Sequence, residues 1–77
     1  MDDFRILEAW LLGVREARRR APELPVVYPI NGLVLKTFFR DMAPMLDEPG
    51  FMDDASRYAA QLILGEFRAG VTSARAA

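Results

Sequence analysis

Catalysis begins with a side chain that can be activated, and this chain offers few. Ser56, Ser73 and Thr37 are the candidate nucleophiles, and Tyr28 and Tyr58 the candidate proton donors. A hydroxyl attacks only when a neighbouring base takes its proton. The sequence has no His, the usual base near neutral pH, and Lys36 is its one lysine. Asp47, Glu48, Asp53 and Asp54 supply carboxylates, but acid–base pairs must face each other across a cleft, which so small a domain rarely forms. No phosphate-binding glycine loop, dinucleotide fingerprint or nucleophile elbow is present. The expectation is a chain that is not an enzyme, with no catalytic residue and no cofactor.

Metal binding is equally poorly served. Without Cys or His, thiolate and imidazole sites are excluded, leaving oxygen ligands alone. The acidic residues between Asp47 and Asp54 lack the alternating order and closing Glu of a calcium loop. Helix capping and solvation account for them, and no metal is expected.

Arg15, Arg18, Arg19 and Arg20 form the densest charge cluster. Two readings compete: contact with an anion or acidic partner, or a solvated helix end that suits the dipole and pairs internally through Glu16. The net charge of −1, from ten basic and eleven acidic residues, provides no general pull on nucleic acid. No aromatic residue interleaves these arginines to stack on bases. A small nucleic-acid-associated regulator using Arg15 to Arg20 is therefore the alternative reading.

The leading reading comes from hydrophobic content. Seventy-seven residues bury only about 60% of their unfolded surface, yet 52% of this chain is apolar. Disulfides cannot supplement the core, so a partner is the available supplement. Phe38, Phe39, Met42, Met45, Phe51 and Met52 cluster around one connector, and methionine adapts readily to irregular surfaces. With Trp10 they are the expected partner-binding residues. The expected function is a small protein–protein interaction module, an accessory or assembly subunit or small regulator, binding a partner or itself. The length and acidity also invite comparison with acyl carrier proteins, but the Asp-Ser-Leu attachment motif is missing, and Asn31-Gly32-Leu33 opens the second helix.

These residues are carried by an expected all-α bundle of three main helices. Asp2 or Asp3 caps the first, with Phe4, Leu7, Leu11 and Val14 at helical spacing and Trp10 alongside; Pro22 stops it near Ala21. Pro22, Pro25 and Pro29 then impose an extended, apolar connector that should pack across the helices. Asn31 caps a second helix that is apolar on most sides, hence expected to be central, and Pro44 ends or kinks it. A short extra turn at 44–48 precedes the turn signal Asp47-Glu48-Pro49-Gly50. Asp53 or Asp54 caps the third helix, whose Ala59, Ala60 and Gly65 allow close approach, and Gly70 is its expected C-cap. Residues 1–70 thus form a single helical domain, and 71–77 a fraying tail. No stretch reaches the ~20 apolar residues of a membrane span. The acidic start Met1-Asp2-Asp3 is unlike a secretory signal, so a cytoplasmic location is expected.

Overall fold

The computed structural model describes residues 2–24 and 32–76, with side chains over 3–24 and 32–69. Its elements are α1 (Asp2–Arg20), α2 (Gly32–Met42), a short 3-10 turn (Ala43–Met45) and α3 (Phe51–Ala76). The fold is an all-α bundle of three helices, with no strand among the described residues. The Asn31 cap and the extended stretch expected at 25–30 lie outside the described residues.

α1 ends at Arg20, two residues ahead of Pro22, and closes with Ala21 N–H donating to Ala17 O at 2.8 Å. Leu24 folds straight back onto the core and is buried, as an apolar connector requires. At the other end of the connection, Pro44 lies in the 3-10 turn, and Leu46 N–H reaches Ala43 O at 3.4 Å. Gly50 then takes φ +75°, a backbone state costly for any residue with a Cβ.

That glycine corrects one expectation. α3 begins at Phe51, immediately after Gly50, and its first helical bond runs from Asp54 N–H to Gly50 O at 3.0 Å. Asp53 and Asp54 therefore lie inside the first turn, where they complement the dipole without capping. Gly70 does not end the helix either, since the backbone stays helical to Ala76. One glycine costs a helix interior about 1 kcal/mol, too little to end it unaided.

The centre of the molecule is the pairing of α1 with α3. Arg5 lies over the Phe51 ring, and Gly13 meets α3 at Ser56, Ala59 and Ala60, so contacts advance in the same sense along both helices. Two helices running the same way need a long crossover, which residues 21–50 provide with α2 inside it. Arg5 also donates to Leu46 O at 3.0 Å, fastening α1 to the end of that crossover.

α1 packs only in part through the expected stripe, of which Trp10 is buried and Val14 packs partly against the core. Its buried face is Ile6, Ala9, Trp10, Gly13 and Ala17, opposed by Ala55, Ala59, Ala60, Ile63 and Leu64 of α3. Phe4, Leu7 and Leu11 are instead 65%, 39% and 58% exposed. Both stripes follow helical spacing, but small side chains let two backbones approach until dispersion contacts multiply. Ala59 and Ala60 serve that approach as expected, whereas Gly65 faces open space.

α2 is also less central than its composition suggests. Only Phe38 is fully buried; Val34, Leu35, Phe39 and Met42 pack partly against the core, and Leu33 is exposed. The Phe38 ring sits 5.2 Å from Trp10 and 6.0 Å from Tyr58. Tyr58 donates its hydroxyl proton to Asp41 at 2.9 Å, tying α3 to α2 across the edge of the core. Tyr58, Leu62 and Ile63 of α3 join this cluster.

Candidate functional site

The arginines concentrated at the end of α1 line one side of an open groove. Arg57, from the second turn of α3, lines the other. The groove holds about 610 Å³ and also takes in Leu12, Glu16, Asp53 and Ser56. Helical geometry explains the near side: Arg15, Arg18 and Arg19 recur at three- and four-residue spacing, so their side chains leave α1 on one side.

Glu16 organises part of this cluster. Its carboxylate accepts Arg19 Nε at 2.9 Å and Arg20 Nε at 3.1 Å. The Arg19 hydrogen bond is the main reason its pKa falls from 4.5 to about 2; the Arg20 bond adds to this, and desolvation opposes both. Arg19 is correspondingly harder to deprotonate. A depressed carboxylate pKa stabilises the fold fully above the unfolded value of 4.5, and that contribution is lost as pH falls towards 2. The Glu16 carboxyl should accordingly titrate well below 4.5 by NMR, and Arg19→Gln should raise its midpoint. A midpoint near 4.5 in the parent protein would refute the pairing.

The remaining cations are differently placed. Among the described residues, the side chains of Arg15, Arg18 and Arg57 form no hydrogen bond or ion pair. Arg18 Nε is enclosed without an acceptor. Asp53 stands one turn before Arg57 without pairing to it. Arg57 also lies near the positive end of α3, where the helix dipole adds to its charge.

No family model, curated protein or solved structure matches this chain.

The expected apolar partner-binding residues fare unevenly. Trp10, Phe38 and Phe51 are 2%, 0% and 3% exposed, enclosed in the protomer's own core, where a partner cannot touch them. Phe39, Met42 and Met52 are half-buried against that core, and Met45 alone stands exposed. The seam between Met42, Met45 and Phe51 leaves a crevice of only about 60 Å³. The cluster fills the junction between the crossover and the start of α3, because the Gly50 turn folds Phe51 inward beneath Arg5.

The apolar surface that stays open lies on α1 instead. Phe4, Leu7 and Leu11 stand at i, i+3 and i+7, while Leu12, 40% exposed, lines the arginine groove. Spacing alone had marked this stripe, but as core. Arg57 carried no signal, being a single arginine far in sequence from the cluster it joins.

The other polar candidates are dispersed. Ser56 donates its hydroxyl to Asp53 O at 3.1 Å within its own helix. Asp47, Glu48, Asp53 and Asp54 are exposed, and no group of three or more acidic residues converges at metal-binding range among the described residues. Among the same residues, no helix is long and apolar enough to cross a membrane.

Proposed function

We propose that this chain is a small non-enzymatic interaction module, an accessory or assembly subunit or small regulator, working in the cytoplasm. It binds an apolar helix of another polypeptide, a second copy of itself included. The observation that carries this reading is the exposed Phe4–Leu7–Leu11 stripe on α1. Three large apolar side chains in one row on a helix already packed on its opposite face form a ridge that a further helix can cover. Single exposed leucines are ordinary, but a row at helical spacing has a direction and a partner geometry.

The test is mass. Isolated from its native source without cross-linking, the protein should run in a complex heavier than the 8.7 kDa protomer. Leu7→Ser/Leu11→Ser should release it while leaving the melting temperature within a few degrees, because both side chains are exposed. Purification as an 8.7 kDa monomer at every concentration, from source and from recombinant cells alike, would overturn the proposal.

A further inference from the structure

We infer that the groove between the last turns of α1 and the first turns of α3 binds an acidic, amphipathic segment of a polypeptide partner through Arg15, Arg18 and Arg57. The inference rests on the interaction-module reading, and gives that module a second contact of different chemistry.

The charges in the groove do not cancel. Five arginines line it against two carboxylates, Glu16 and Asp53. Glu16 engages Arg19 and Arg20, and stays ionised through its pairing with them. Arg15, Arg18 and Arg57 are left with donors directed at no acceptor among the described residues. A guanidinium fork matches a carboxylate in two parallel hydrogen bonds, so carboxylates are a natural complement. Helix ends often carry solvated arginines for the sake of the dipole, and Arg18 to Arg20 would satisfy that account alone. Arg57 does not fit it, because it stands at the wrong end of its own helix and faces the cluster from across the groove.

Two further features select a peptide over a nucleic acid. Leu12 is exposed at the groove wall, so an occupant must bring an apolar side chain beside its charges. The wall contains no aromatic ring on which a base would stack. A volume of about 610 Å³ exceeds a simple ion and suits several side chains of a bound segment.

The experiment is a fluorescence-anisotropy titration of the whole chain. Its probes are a labelled Glu/Leu peptide, a labelled single-stranded DNA of equal charge, and unlabelled inorganic phosphate as competitor. The peptide should bind, weaken as salt rises, and weaken about tenfold or more with Arg15→Glu/Arg57→Glu. Arg15→Gln/Arg57→Gln should fall between and carries the test if the charge reversal unfolds; circular dichroism reports which. The groove and the apolar row are separable, since Leu7→Ser/Leu11→Ser should retain peptide capture through the arginines. No peptide binding, binding indifferent to either double variant, DNA bound more tightly than peptide, or full displacement by phosphate would each overturn the inference. None of these results bears on a native complex held by the apolar row alone.

Discussion

Gly13→Ala will weaken this protein, although alanine is the better helix former. At a site with free space the change should stabilise a helix interior by about 0.5–1 kcal/mol. Gly13 has no such space. A Cβ built there would lie 2.3 Å from Ala59 Cβ, 2.9 Å from Ser56 O and 3.0 Å from Ala60 N. Two of these atoms belong to the α3 backbone and cannot rotate aside. The helices would have to separate, loosening Ala9 and Ala17 from Ala55 and Ile63 as well. Overpacking of this kind costs about 1–3 kcal/mol, enough to outweigh the propensity gain. In a domain of this size each kcal/mol moves the melting point by about 4–8 °C. Gly65→Ala is the internal control: it lies in α3 with nothing within 4 Å of its added Cβ, and should stabilise. Ala59→Gly placed on Gly13→Ala should return part of the loss, because it removes the nearest atom but not the two backbone ones. If Gly13→Ala raises the melting point as Gly65→Ala does, the close crossing of α1 and α3 is wrong.

The same crossing explains what the sequence concealed. Helix number and the stop before Pro22 were legible, because proline and turn residues act locally. The packing face of α1 was not, since two stripes satisfy the 3.6-residue period. Phe4, Leu7 and Leu11 outrank Ala9, Gly13 and Ala17 on any hydrophobicity scale, yet a helix pair gains more contacts where its backbones approach most closely. The clue was distributed: small residues at 9, 13 and 17 match small residues at 55, 59 and 60, a pattern visible only when both helices are read together. Reversing that face leaves Phe4, Leu7 and Leu11 on the surface, while Trp10 and Phe38, expected to meet a partner, are enclosed in the core. The candidate site changes with it, from a methionine-lined connector to the outer row of α1. The arginine groove was half legible, its α1 wall written as a cluster and its α3 wall as one isolated residue. Only the fold could bring Arg57 to Arg15.

Phe38→Ala should release α2 from the bundle. An 11-residue helix is too short to hold itself in water, so α2 depends on what it buries. Phe38 is its one fully enclosed side chain, set against Trp10 at 5.2 Å and stacked on Tyr58 at 6.0 Å. Truncating a buried phenylalanine costs about 3–5 kcal/mol, while a domain of this length is stable by only about 4–12 kcal/mol. Val34, Leu35 and Met42 offer partial burial, which cannot replace the lost ring. Two local probes distinguish undocking from global unfolding. Trp10, the sole tryptophan, loses its aromatic neighbour and should emit at longer wavelength while far-UV helicity is largely kept. Tyr58, whose pKa is raised first by its hydrogen bond to Asp41 and then by burial, should titrate closer to 10 once α2 leaves. The sign is fixed by the direction of that shift: the Tyr58–Asp41 bond stabilises the parent below pH 10 and is lost as pH rises through the higher folded value. Phe39→Ala, at a half-buried position, should cost clearly less. Parent-like Trp10 emission and an unchanged Tyr58 titration in Phe38→Ala would mean that α2 is anchored elsewhere. The α1–α3 pair would then be secondary to a contact that the buried surfaces do not reveal.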